Sequence, residues 1–306
     1  MKDSIVISAS CADAAFPEPL RSDGQKADAA FGSFLVHYLD HSEYEAHAAI
    51  DRSRHTRVSH RLSRMVARLC ARSGLSAEAL AGPRTGLVSG SSYGCSPVYE
   101  MHHRLRQQGP RGVDAVRFAQ ATHNYPVSSC AIEYGLQGPC LSVVSTETAG
   151  LDALQCAFDW LRDNRCDRVL VTAFEDFAPP TADHLLARAR ATPGTAFGEA
   201  MVLLLLERET AATARGLAGL ARLGSVTNIP ARGRSHLHIQ CSDPAVRTMR
   251  SQALDFLGAG GLLAIHDLLT SPDGAGPAAT DWQIAVTAPA SGIAVNIALP
   301  QMEHSQ

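Results

Sequence analysis

The sequence predicts an α/β protein whose strands and helices stack in layers around a buried sheet. Three observations lead there. Strand and helix patterns alternate at short intervals between residues 85 and 207. One segment, AMVLLLLE at 200–207, is apolar almost without interruption. With 45% apolar composition over 306 residues, the chain can bury a core large enough for one domain or two fused halves.

The elements follow in order. Residues 5–8 read as a first strand, and a loop-rich stretch of small and polar residues to about 45 reads as an exposed cap. From Val58, the positions Val58, Leu62, Met65, Val66 and Leu69 recur at helical spacing, with Gly74 as the stop. TGLVSGS at 85–91 is a buried strand, followed by a helix to about Arg106. Strand 141–145, helix 150–162 and strand 168–174 repeat the alternation, which implies parallel βαβ units. A helix at 182–191 precedes the apolar run at 200–207, expected to be a central strand covered on both faces. Residues 208–245 show little period. A long helix is expected at 245–269, then a Gly- and Pro-rich loop at 273–279, then strands at 282–286 and 293–299.

Composition narrows the function classes. Lys and Arg total 27 against 30 Asp and Glu, scattered without a basic block, which argues against a nucleic-acid partner. No stretch reaches the roughly 18 to 20 apolar residues a membrane span needs. The start of the chain reads as a strand rather than a signal peptide. Its eight cysteines include no CxxC pair, so a reducing cytoplasm is the expected setting. No cofactor and no metal are expected. His236, His238 and Cys241 have a spacing that could hold zinc, a pattern more often incidental. His102, His103 and Cys95 read as a polar helix face and a core thiol.

The segment YGLQGPCLSVVSTETAGLDALQCAFDWLRDNRCDRVLVTAFED, residues 134–176, resembles the nucleophile region of β-ketoacyl-acyl-carrier-protein synthases. In that family a Gly-Pro pair opens a strand that ends at a nucleophilic cysteine, small residues and a buried helix follow, and a second strand ends in an acidic residue. Gly138 and Pro139, the turn 146–150 and Glu175 match these parts, and Glu147 falls at the cysteine. RTGLVSGSSYG at 84–94 and FGEAMVLLLLE at 197–207 resemble further family segments. In LDFLGAGGLLAI at 254–265, Asp255 stands at a histidine position; His238 is a loose candidate for the other histidine; Ala290 replaces a gating phenylalanine. The resemblance implies a thiolase-like layered αβαβα fold with an abbreviated second half. Residues 1–207 form the N-terminal half and 208–306 the shortened C-terminal half of one compact unit.

Decarboxylative condensation needs a thiolate that accepts the acyl chain and histidines that stabilise the developing enolate. Glu147 supplies no thiolate, and Asp255 puts negative charge where an oxyanion stabiliser is wanted. No catalytic residue is therefore expected. The run from Glu147 to Ala153 is similar to the chain length factors of type II polyketide synthases, silent homologues that pair with an active ketosynthase, and to truncated partners in aryl polyene systems. Those factors commonly carry Gln where Glu147 stands. The resemblance implies a heterodimer with an active β-ketoacyl synthase, acyl carrier protein reached through the complex, and pairing along Leu141, Ser142, Val143, Val144 and Ser145. Phe118, Thr122, His123 and Tyr125 would wall the partner's acyl tunnel. Two alternatives stand beside this: an enzyme in which Glu147 acts as general base or malonyl-carrier-protein decarboxylase, and a scaffold that only stabilises its partner. Glu147 could also be a structural carboxylate bonded to backbone N–H groups at a helix start.

Overall fold

The computed structural model describes residues 3–15, 25–29, 32–46, 54–191, 196–233, 235–241, 254–270 and 281–300. Its strands are β1 (Ile5–Ala14), β2 (Gln25–Ala29), β3 (Gly32–His37), β4 (Thr85–Ser91), β5 (Cys140–Val144), β6 (Arg168–Glu175), β7 (Ala196–Gly198), β8 (Ala200–Arg208), β9 (Ala221–Asn228), β10 (His236–Cys241), β11 (Leu254–Asp255), β12 (Asp281–Thr287) and β13 (Gly292–Ala298). The helices are α1 (Ser42–Ala46), α2 (Arg57–Ser73), α3 (Ala77–Leu80), α4 (Ser96–Gln108), α5 (Ala115–Gln120), α6 (Tyr125–Glu133), α7 (Ala149–Arg162), α8 (Ala182–Ala191), α9 (Glu209–Ala214) and α10 (Gly260–Thr270).

Nine strands form one sheet in the order β10-β12-β13-β9-β1-β8-β6-β4-β5, and β11-β7-β3-β2 form a second, small one. The run AMVLLLLE is explained by β8's position. Val202, Leu204 and Leu206 point into one core with α7 and α10, while Met201, Leu203 and Leu205 point into another with α2 and α6. A strand buried on both faces loses the usual alternation. β4, β5 and β6 are parallel, as the alternation predicts, and β8 runs antiparallel to both β1 and β6. The sheet folds over α7 and α10, whose other sides rest on the strands of the second half.

β1 links the two halves. Its register against β8 shifts between Ile7 and Ala9. The bulge turns the strand over: Ile5 and Ile7 enter the α7 core, whereas Ala9 and Cys11 enter the α2 core. Before the bulge β1 also pairs with β9, which joins the second half to the first.

Helix α2 begins one residue before its first apolar position, because Thr56 and Ser59 cap each other's backbone N–H groups and Gly74 (φ 64°) ends it. Two expectations fail here. The stretch before residue 45 is not simply a loop: β1 runs on to Ala14, and β2 and β3 form a hairpin. The long helix at 245–269 is also wrong where it can be followed. Leu254 and Asp255 form a strand, Leu257 sits at φ 48°, and the helix starts at Gly260; 245–253 and the loop 273–279 lie outside the described residues. Among the described residues, no helix is long and apolar enough to cross a membrane.

Candidate functional site

Three chain segments meet where β5 turns into α7, and they meet at backbone contact. A Cβ on Gly90, near the end of β4, would lie 2.1 Å from the Ala149 carbonyl oxygen. One on Gly150 would lie 2.5 Å from the Gly258 carbonyl oxygen. Glycine is required at both positions because backbone occupies the space a side chain would take. This packing also explains why the α-helix does not extend back through 257–259, which form a short 3-10 turn instead: Gly258 must pass beside Ser92 and Glu175.

Glu147, in the turn, is 8% exposed. One of its oxygens pairs with Nη1 of Arg188, which α8 carries into the site. Its other oxygen is buried with no hydrogen-bond partner. Arg188 also donates from Nε and Nη2 to one oxygen of Asp255, at 3.2 and 3.0 Å, and the other Asp255 oxygen accepts from the Leu257 N–H at 2.8 Å. The two carboxylates that sequence placed at the cysteine and histidine positions are thus brought together by one guanidinium. The backbone N–H groups expected to hold Glu147 do not; the arginine does.

Glu175 closes the floor of this region. It is 2% exposed at the end of β6 and accepts from the N–H of Ser92 at 2.6 Å, the N–H of Gly258 at 3.1 Å and the Ser91 hydroxyl at 3.3 Å. Burial pushes its carboxyl up to about 8, and the backbone donors only partly oppose that. Glu147 and Asp255, above it, share the guanidinium of Arg188. Tyr93 beside them is pushed up to about 12, by burial first.

The turn between β12 and β13 abuts the same place. Ser291 Oγ lies 3.0 Å from Thr146 Oγ1 and 3.2 Å from Thr148 Oγ1, and Thr148 and Ser145 each donate to Asp152 at 2.8 Å. Ala290, at the gating position, is exposed; Ser291 makes the contact instead. Sequence reading missed both Ser291 and Arg188. Arg188 had one signal: it stands three residues after the buried Leu185, on the same helix face.

A second charged cluster lies behind α4. Arg57 pairs with Asp176 and lies 3.5 Å from Glu199, and Glu199 accepts from His41 at 2.8 Å. Ligand atoms of His41, Asp176 and Glu199 lie within 4.8 Å of one another. A guanidinium already supplies the positive charge, and the carboxylates also accept the N–H groups of Ser96, Phe177 and Leu39, so the cluster ties loops together. The zinc spacing fails on strand geometry. His236 and His238 lie on the exposed face of β10 and Cys241 on the buried one, at the opposite edge of the sheet from β5. His102 and His103 are exposed and Cys95 is buried, as expected.

The proposed interface residues lie as follows. β5 pairs only with β4 among the described residues, so its other edge is open. Leu141 is 41% exposed and Val144 42%; Ser142 bonds to Ser89 at 3.0 Å, Val143 packs on the inner core and Ser145 is exposed. Upstream, Phe118 is 63% exposed and Thr122 is exposed. His123 wedges against Gly94 and Tyr99, and burial lowers its pKa. Tyr125 donates to the Arg54 carbonyl at 2.7 Å.

Known proteins are similar to this chain in sequence and in fold. The chain is 31% identical over 171 residues to the spectinabilin polyketide synthase system protein NorC of Streptomyces orinoci, covering 51% of this chain and 7% of that protein. It is 30% identical over 171 residues to the polyketide synthase GfsB of Streptomyces halstedii, covering 51% and 3%. It therefore spans less than a tenth of these relatives. Among solved structures, it is similar to the ishigamide ketosynthase/chain length factor (TM-score 0.66, 20% identity, 97% of this chain and 99% of that one). It is also similar to a type II polyketide ketosynthase in complex with its acyl-carrier protein and bound to the hexaketide (0.69, 15%, 98% and 100%). These likenesses show the thiolase-like fold. The family model for the β-ketoacyl synthase N-terminal domain matches residues 40–212, more than half the chain and every strand that builds the nucleophile turn, so the chain belongs to the β-ketoacyl synthase family.

Proposed function

We propose that this chain is a non-condensing ketosynthase homologue, a chain length factor that pairs with an active β-ketoacyl synthase and shapes its acyl tunnel in type II polyketide or aryl polyene biosynthesis. Residues 1–207 and 208–306 act in it as two related halves of one unit. The observation that carries the reading is the Glu147–Arg188–Asp255 bridge at the nucleophile turn. A carboxylate already engaged by a guanidinium forms no stable acyl-enzyme, and an acyl-carboxylate anhydride is far more labile than a thioester. The open edge of β5 supports pairing, since an unpaired strand edge with exposed Leu141 and Val144 favours association. Acyl carrier protein reaches the complex through the partner's active site.

One observation favours a second reading. The second oxygen of Glu147 is buried and accepts no hydrogen bond, so it is the atom left to act if Glu147 serves as a general base or the chain as a malonyl-carrier-protein decarboxylase. A pure scaffold is the third.

Co-expression with a cysteine-bearing ketosynthase separates the three, read by the length distribution of the products. Thr122 is exposed, so Thr122→Phe adds volume to a tunnel wall without overpacking this chain's own core. The expected result is shorter product with Thr122→Phe and intact turnover with Glu147→Gln. A general base would lose about 10² to 10⁴ in rate with Glu147→Gln. That loss with unchanged product length would establish the enzyme reading; a change of yield alone would establish the scaffold.

A further inference from the structure

We propose that Arg188 is the resident occupant of the acyl position: its guanidinium fills the space at the nucleophile turn that an acyl thioester would take, so an arginine closes the site in addition to the missing thiol. The inference rests on the placement of Glu147 at that turn and deepens the non-condensing reading.

Three features hold the guanidinium there. Its Nε and Nη2 converge on Asp255, while Nη1 meets Glu147. The fork geometry of arginine suits two carboxylates at once, which a lysine could not match. Asp255 is itself anchored by the Leu257 N–H at 2.8 Å, on a residue held at φ 48°. Helix α8 is fixed beneath by Leu185 and Leu186, which pack with Phe177, Phe197 and Leu257. The guanidinium is therefore held at both ends and its helix is docked; it is not a surface side chain that happens to lie over the turn.

The charges of the site agree. Arg188 is the one cation bonded to Glu147 and Asp255 among the described residues. Replacing Glu147 by a thiol alone would thus leave the arginine in place on Asp255. Two results are then possible. If Arg188 blocks the position, the introduced thiol is shielded. If it lies only alongside, its charge lowers the thiol's pKa and speeds alkylation.

The experiment compares Glu147→Cys with Glu147→Cys/Arg188→Ala by iodoacetamide labelling and peptide mapping, which separates the new thiol from the exposed native Cys140. The same pair is then exposed to an acyl-pantetheine thioester and the adduct at position 147 is measured. Labelling and acylation should be about tenfold faster, or more, in the double variant. Equal or faster reaction in Glu147→Cys alone would overturn the proposal. Should Arg188→Ala prevent folding, Arg188→Gln, shorter and still able to donate to Asp255, takes its place with the same expectation. Neither labelling outcome bears on partner pairing, so failure here leaves the chain-length proposal standing; a co-expression result in which only the yield changes leaves this proposal standing, whereas loss of turnover with Glu147→Gln would overturn both.

Discussion

Lysine at both Leu141 and Val144 is expected to weaken association with a partner ketosynthase by about 100-fold or more while leaving the folded chain intact. The two effects separate because of where the residues sit. Both are about two-fifths exposed on an edge strand, one on each face, so charge there costs the monomer no more than about 0.5 kcal/mol. In a continuous sheet made by two chains the same positions become central. Truncating a buried anchor at such a place typically costs about 2 kcal/mol, and two of them together exceed the 2.8 kcal/mol that corresponds to about 100-fold. Strand pairing itself would suffer as well, because a lysine row is how natural edges discourage partners. Sedimentation of the mixed chains checks this, with thermal melts as the control. Undiminished binding by the doubly substituted chain would place the interface elsewhere.

Arg188→Ala is expected to be the most destabilising substitution at the site, at about 3 kcal/mol, or a fall in Tm of about 5 °C. The arginine's side chain is 21% exposed, that of Glu147 10% and that of Asp255 27%. Removing the guanidinium strands a buried carboxylate whose second oxygen already lacks a partner. Breaking a buried pair costs more than replacing it whole, because the remaining charge keeps its desolvation penalty. Glu147→Gln should therefore cost little by itself, and Arg188→Ala/Glu147→Gln should recover much of the loss. A double-mutant cycle in urea measures the coupling. A near-zero coupling would mean that Glu147 and Arg188 do not form a buried pair.

Much of the first half was legible because its signals are local and agree with one another. α2 has an apolar stripe, a capping pair and a glycine stop, so its limits fall within a residue of expectation. The unbroken run of β8 could only be a strand covered twice. The order of parts from Gly138 to Glu175 gave the family before any contact was known. The failures are equally physical. Leu254, Leu257 and Leu262 keep a helical spacing across 254–262, but the close approach of Gly258 to Ser92 and Glu175 forces a turn there that no periodicity records. The second half depends on long-range antiparallel pairing of β9, β10, β12 and β13; β9 carries few apolar residues, while the alternation of Leu237, Ile239 and Cys241 in β10 is a strand signal that the poor periodicity around it obscured.

The site was half legible for a related reason. Glu147, Asp255 and Ala290 could be placed because each departs from a motif with fixed spacing. Arg188 belongs to no motif. It enters from a helix 41 positions along the chain from Glu147, and only the fold brings it between two carboxylates. Spacing from Leu185 puts Arg188 on the inner face of its helix, but says nothing of which carboxylates it meets there.

If Glu147 and Arg188 close the site, no acyl group is carried by this chain. Intact-mass spectrometry of the purified chain after incubation with acyl-carrier-protein thioesters reads this directly. The expected result is the unmodified mass of the 32.5 kDa chain, with no adduct on Glu147 and none on Cys140, the exposed thiol of the preceding strand. A stable acyl adduct at either residue would contradict it.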